Sequence, residues 1–121
     1  MIKVLIADDQ ELIRQSLSII LGLKEEISVV GGVGDGPEVL EFIAKEKPDI
    51  ILMDINMPKI NGFETSKLIR QEGITTPIIA VTAFDKQEIM DKVKEAQIDD
   101  VIVKPFDSSK LFEIIKRYVE I

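Results

Sequence analysis

The sequence predicts a doubly wound α/β fold of (βα)5 type, with one parallel sheet covered by helices on both faces. Two patterns carry that prediction: five short apolar runs recur at intervals of roughly two dozen residues, and helical segments lie between them, three of them opened by capping residues. A third observation is length, since 121 residues fit one hydrophobic core and are too few for two. The span 1–121 is therefore read as a single domain with right-handed crossovers.

The first strand is predicted at 3–7, where Val4, Leu5, Ile6 and Ala7 run directly into Asp8 and Asp9. A helix over 10–22 follows, with Ile13, Leu17 and Ile20 suited to the core. Leu12, Ser16 and Ile19 form a second stripe on it, which either lies under the sheet or is a docking surface for a partner helix. The second strand is predicted at 27–33, and a helix over 36–46 begins at Asp35, Pro37 and Glu38. The third strand at 50–54 and the fourth at 78–82 are nearly continuous in Ile, Leu, Val and Met, as parallel strands buried on both faces require. Asn61 with Glu64 opens a helix over 62–71, and Asp85 with Glu88 opens one over 86–96. The fifth strand is predicted at 100–104, and Leu111, Ile115 and Tyr118 or Val119 line one face of a last helix over 108–119.

The run 31–36 contains four glycines between a strand and a helix and so must be tested as a dinucleotide loop. It fails on spacing, because the third glycine of either register would fall at Pro37 or Val39, and no Gly-Lys-Ser/Thr follows. A flexible strand-to-helix turn is the expectation.

Composition narrows the chemistry. Hydrophobic residues at 45% and charged residues at 31% are the values of an ordinary globular protein. Fifteen Lys and Arg against 22 Asp and Glu give a net charge of −7, which repels nucleic-acid backbones and anionic membranes, so neither is expected as a partner. Without cysteine there is no thiolate nucleophile, disulfide or iron–sulfur cluster, and without histidine no imidazole base, ligand or phosphoryl acceptor. The N-terminus has no signal-peptide pattern and no apolar run is long enough to cross a membrane, so the expected location is cytoplasmic.

Carboxylate, hydroxyl and lysine chemistry remain, and such side chains stand at the carboxyl ends of four predicted strands: Asp8 and Asp9, Asp54, Thr82, and Lys104. Ligands of open α/β sheets bind outside those ends, where strand order reverses. An order of 3-2-1-4-5 would separate the third strand from the fourth, whereas 2-1-3-4-5 closes the constellation. Carboxylates so gathered repel by roughly 4 kcal/mol per pair at about 4 Å and an effective dielectric of ~20, and call for a cation. An all-oxygen cluster with room for water suits Mg²⁺. Asp54 could then serve as a nucleophile towards phosphorus, with Lys104 a fixed cation and Thr82 a hydroxyl donor. Each residue alone has a structural explanation: an acidic turn capping a helix for Asp8 and Asp9, a local backbone bond for Thr82, a solvated edge charge for Lys104.

At this point four blocks resemble the response-regulator receiver domain of two-component signalling: Val4 to Asp9, Leu52 to Gly62, Val81 to Ala83, and Val103 to Phe106. The likeness covers essentially the whole chain and includes chemotaxis regulators, but the opening block looks more like regulators with a DNA-binding output and Lys104-Pro105-Phe106 like other branches, so no subfamily follows. It implies a flavodoxin-like sheet of order 2-1-3-4-5, phosphotransfer to Asp54 from a sensor histidine kinase, a phosphotransfer protein or a small acyl phosphate, and Mg²⁺ (with Mn²⁺ as a substitute) held by Asp9, Asp54 and the backbone carbonyl of Asn56. Asp8 would assist through water. Thr82, Ala83 and Lys104 would take the phosphoryl oxygens, with Lys104 pairing with the free carboxylate otherwise, and Lys104-Pro105 is expected to be cis. Pro58 would restrict the loop after Asp54, and Gly62 would ease entry into the next helix. Phosphorylation would shift the surface of the fourth helix, fifth strand and fifth helix, controlling an output domain, an effector protein or a homodimer. No turnover of an external substrate is expected.

Two departures matter. The family usually places a switching Tyr or Phe where this chain has Val101, which leaves loop movement with Thr82, or Phe84 or Phe106, to carry the signal. Asn56 and Phe84 occupy the positions that tune dephosphorylation, and bulky Phe84 is expected to slow it. Rival classes are a dehalogenase-type phosphatase, against which Asp54-Ile55-Asn56 lacks the usual second aspartate, and a pseudo-receiver that binds a partner without being phosphorylated.

Overall fold

The computed structural model describes residues 1–119. Five strands, β1 (Ile2–Ala7), β2 (Ile27–Val33), β3 (Ile50–Asp54), β4 (Ile78–Thr82) and β5 (Asp100–Val103), alternate with five helices. These are α1 (Glu11–Leu21), α2 (Gly36–Lys45), α3 (Gly62–Gln71), α4 (Lys86–Glu95) and α5 (Ser108–Tyr118). All pairings are parallel and the order is β2-β1-β3-β4-β5, the one arrangement of the two considered that brings the four strand ends together. The fifth strand stops one residue short of the expected 104: Lys104 N makes the last bond to β4, to Thr82 O at 2.7 Å, and Pro105 has no N–H to continue the ladder. Residues 120 and 121, which the single-domain reading includes, lie outside the described residues.

The sheet divides the apolar interior in two. Leu5, Ile51, Met53, Ile78, Ala80 and Val101 face the side covered by α2, α3 and α4, where Val39, Ile69, Ile89 and Val93 complete the cluster. Val4, Ile6, Ile50, Leu52, Ile79 and Ile102 face the other side, against Leu17 and Leu21 of α1 and Leu111, Ile114 and Ile115 of α5. Both faces of the central strands are thus buried, which is why their apolar runs do not alternate. Truncating such an isoleucine to Ala costs about 2–5 kcal/mol.

Helix starts follow the capping residues. The Asp35 carboxylate accepts from Glu38 N at 2.8 Å, and the Asn61 side chain from Glu64 N at 2.9 Å. Asp85 bonds Gln87 N at 3.0 Å, one position earlier than the acid three residues on had suggested, and Asp107 caps α5 through Lys110 N at 2.9 Å. The first helix has no side-chain cap at Gln10.

The glycine run divides between the expected strand 27–33 and the expected turn before α2. Gly31 and Gly32 belong to β2, whose register against β1 shifts between Val4 and Leu5. A Cβ on Gly31 would lie 2.5 Å from the Phe42 ring, so this glycine lets α2 press its aromatic side chain onto the strand.

At the amino ends of β4 and β5, Arg70 donates to the carbonyls of Gln97, Ile74 and Thr76 and pairs with Asp99 at 2.8 Å. On the open edge of β5, Asp100 accepts from the Tyr118 hydroxyl at 2.9 Å, with Arg117 at 3.3 Å and Lys86 at 3.7 Å. Among the described residues no helix is long and apolar enough to cross a membrane.

Candidate functional site

The register explains how the site assembles. Ala7 pairs with Met53, Asp54 with Val81 and Thr82 with Val103, so the next residues of β1 and β5, Asp8 and Lys104, leave the sheet at the level of Asp54 and Thr82. One carboxylate oxygen from each of Asp8, Asp9 and Asp54 falls within 4.8 Å of the others. Asp8 and Asp54 are buried, at 2% and 8% exposure, and Asp9 is open to solvent.

Each acid has its own support. Asp8 Oδ1 accepts from Gln10 N at 2.9 Å, and its backbone carbonyl accepts from Arg14 Nη1 at 2.6 Å. Asp54 Oδ1 accepts from Asn56 N at 3.1 Å, which ties the carboxylate to the loop that follows it. Burial raises the Asp54 carboxyl above its ordinary value; the Asn56 N–H opposes this, the Asp8 charge adds to it, Lys104 opposes it and Asp9 adds again.

The Lys104 ammonium is 3.7 Å from Asp8 Oδ2. Its pairing with a free carboxylate is thus to Asp8 and not to the expected phosphoryl acceptor, Asp54. Thr82 is buried, and its Oγ1 accepts from Phe84 N at 3.0 Å, so the local backbone bond considered for it does form in this state. Its hydroxyl hydrogen remains available for another acceptor. Ala83 lies between Thr82 and Phe84 in that turn. The Lys104-Pro105 bond is cis.

The loop 55–61 is closed by Gly62 N donating to Ile55 O at 2.8 Å, and Ile60 N to Pro58 O at 2.8 Å. A Cβ on Gly62 would stand 2.6 Å from the Asp54 carbonyl and 2.8 Å from the Ile55 Cα, so its role is close approach of α3 to the site rather than only ease of helix entry. Asn56 and Phe84 face an open pocket of about 340 Å³ together with Phe63 and Lys92. Lys92 lies 5.7 Å from the centre of the Phe63 ring. Val101 is buried among the apolar residues against α4 and has no place in the pocket.

Three supporting residues escaped sequence reasoning: Arg14, Lys59 and Lys92. Arg14 spreads over Gly32 and Gly34 to reach the Asp8 carbonyl, and Lys59 Nζ meets the Asp35 carboxylate at 3.1 Å. The Lys59 contact joins two loops far apart in sequence, while the Arg14 contact closes the turn between β1 and α1, and no local pattern signals either.

All-oxygen carboxylates at this separation, two buried and one open to water, suit a hard divalent cation with retained water ligands better than a soft metal. Asp9 and Asp54 have the donor atoms for direct contact, with Asp8 beside them.

Comparison with known proteins agrees with this geometry. The family model of the response regulator receiver domain matches residues 4–116. The transcriptional regulatory protein PdtaR of Mycobacterium tuberculosis is 36% identical over 114 residues, covering 94% of this chain and 55% of its own. The chain spans about half the length of several curated relatives it matches. The crystal structure of the response regulator domain of Thermotoga maritima CheB superimposes with a TM-score of 0.89 at 32% identity, covering 100% of this chain and 98% of that one. The receiver domain of the sensor histidine kinase PA1611 from Pseudomonas aeruginosa, with a magnesium ion coordinated in its active-site cleft, gives 0.85 at 27% identity over 96% of this chain and 95% of that one. By sequence and by fold, the chain belongs to the response-regulator receiver domains.

Proposed function

We propose that this domain is a phosphorylatable switch whose acceptor is Asp54. The observation that carries the proposal is the convergence of Asp8, Asp9 and Asp54 at the strand ends, beside the Thr82 hydroxyl and the Lys104 ammonium. An Asp54 oxygen attacks phosphorus as the donor's bond breaks. The leaving group, imidazole from a phosphohistidine partner or carboxylate from an acyl phosphate, keeps the electron pair. Asp9, Asp54 and the Asn56 carbonyl would hold Mg²⁺, or Mn²⁺ in its place, with Asp8 assisting mainly through water. The cation supplies countercharge for the phosphoryl oxygens.

In the phosphorylated state Lys104 exchanges Asp8 for a phosphoryl oxygen, while the Thr82 hydroxyl and Ala83 N–H supply further donors. Moving Thr82 draws its turn, including Phe84 and Asp85, towards the site and displaces the start of α4. Each ~1.4 kcal/mol of preference for that arrangement changes the population ratio tenfold. The α4, β5 and α5 face then meets an output domain, an effector or a second copy. Donors are a sensor histidine kinase, a phosphotransfer protein or a small acyl phosphate. The domain processes only its own phosphoryl group, inside the cell, and binds neither nucleic acid nor membrane directly.

Intact mass measured after incubation with Mg²⁺ and a small acyl phosphate tests this. A cation-dependent gain of one phosphoryl group, absent from Asp54→Asn, is expected. No gain under any condition would leave a pseudo-receiver.

A further inference from the structure

Lys59 has a φ of 69°, a left-handed backbone conformation that a residue with a side chain seldom adopts without a reason. It sits in the loop 55–61, and its ammonium crosses to the start of α2, where Nζ lies 3.1 Å from Asp35 Oδ2. Asp35 is itself a buried acid, 7% exposed, whose other oxygen caps α2 through Glu38 N at 2.8 Å. The Glu38 N–H lowers the Asp35 carboxyl, burial opposes this, and Lys59 adds to the lowering, so the acid is charged at neutral pH.

The loop and the start of α2 are also packed without slack. A Cβ on Gly36 would fall 2.5 Å from Thr65 Oγ1 and 2.7 Å from the Ile60 Cβ, while Thr65 Oγ1 donates to Asn61 O at 2.8 Å. The same loop donates Asn56 N to Asp54 Oδ1 at 3.1 Å. Its shape therefore reaches the acceptor carboxylate directly.

We propose that Lys59, tied to the α2 cap Asp35, is a positioning residue for the cation site, holding the loop 55–61 in the shape that orients the Asp54 carboxylate and offers the Asn56 carbonyl. The inference rests on the Mg²⁺ site of the proposed function. Charge makes it decidable. Lys59 is a cation near a cation site, so by electrostatics alone Lys59→Met would tighten Mg²⁺ binding and Asp35→Asn would loosen it. Positioning requires both to loosen it, with no further loss in the double variant, because either change alone opens the same link. Asn remains a good helix cap, so Asp35→Asn spares α2.

The test is a calorimetric Mg²⁺ titration of wild type, Lys59→Met, Asp35→Asn, the double variant and Lys59→Arg, with urea unfolding of each metal-free protein. Expected are a rise of about fivefold in Kd for each single variant and for the double, recovery in Lys59→Arg, and unchanged unfolding midpoints. Tighter or unchanged binding in Lys59→Met, additive losses in the double, or a loss tracked by the unfolding midpoint overturns the proposal. Wild type that takes up no Mg²⁺ removes the proposed function and this inference together. Wild type that binds Mg²⁺ and gains a phosphoryl group, beside a Lys59→Met variant of equal affinity, removes only this inference.

Discussion

The Lys104 ammonium stands 3.7 Å from the Asp8 carboxylate, while the direct hydrogen bond to Asp54 comes from the Asn56 N–H. Asp54 is thus a buried acid with other acids beside it and its nearest cation engaged elsewhere. Burial is the first cause of its raised carboxyl pKa; Asp8 and Asp9 add to it, and the Asn56 N–H and Lys104 oppose it. The acceptor is charged at a cost to the fold, and a cation or phosphoryl group changes that cost.

The sign of the pH dependence follows. A carboxyl raised above its ordinary value of 3.8 binds a proton more tightly folded than unfolded. Stability is therefore lost as pH rises from that value through the raised one, and it stays lost above both. Asp54→Asn is expected to stabilise the metal-free domain at pH 7, with the gain vanishing below about pH 3. Urea unfolding of both proteins at the two pH values checks this. A gain of equal size at both would assign the effect to packing instead.

Gly62→Ala is expected to destabilise the domain by about 1–3 kcal/mol, since the added methyl meets backbone of Asp54 and Ile55, which cannot rotate away. The same change should slow phosphorylation by moving the acceptor strand end. Urea midpoints and initial rates of mass gain measure the two effects. An Ala variant with a wild-type midpoint would show that α3 can back away freely.

Phe84 is 45% exposed and borders the pocket beside Asn56. On the proposed mechanism its ring would flank the approach of water to the phosphoryl group, so Phe84→Ala should shorten the phosphoryl lifetime by about tenfold, or ~1.4 kcal/mol of barrier. Mass-resolved decay after removal of the donor reads the rate. Decay no faster than wild type would sink the shielding idea.

The second stripe on α1 is not under the sheet: Leu12 and Ile19 are 72% and 70% exposed, beside the site-bearing Asp8 and Asp9 turn. Truncating both to Ala should cost stability no more than about 0.5 kcal/mol per site. Transfer from a phosphohistidine partner should slow, while transfer from a small acyl phosphate should not. Equal slowing with both donors would remove the docking role.

The sequence disclosed the fold because the apolar runs were long enough to be buried on both faces and most intervals carried their own cap, as Asp35 and Asn61 do, though α1 has none. Strand order was legible only through chemistry, since Asp54 and Thr82 have no shared purpose unless β3 lies beside β4. Contacts between distant segments were not legible. The Lys59 contact with Asp35 depends on where two loops cross, the Arg14 contact with the Asp8 carbonyl is set by the turn between β1 and α1, and the register shift between Val4 and Leu5 leaves no mark in the residue pattern. Thr82 shows a different limit: its local bond to Phe84 and its proposed role in switching are two states of one residue.

Asp100 bears on how the edge of the sheet is covered. The fifth strand is an edge, and an edge of the short run Asp100–Val103 could template another chain through its free N–H and C=O groups. Lys86 from one side and Arg117 with Tyr118 from the other converge on the Asp100 carboxylate, so two cations and a phenol lie over that border. Any rearrangement that pulls Lys86 away also uncovers the border, which ties exposure of a strand-pairing edge to the position of α4.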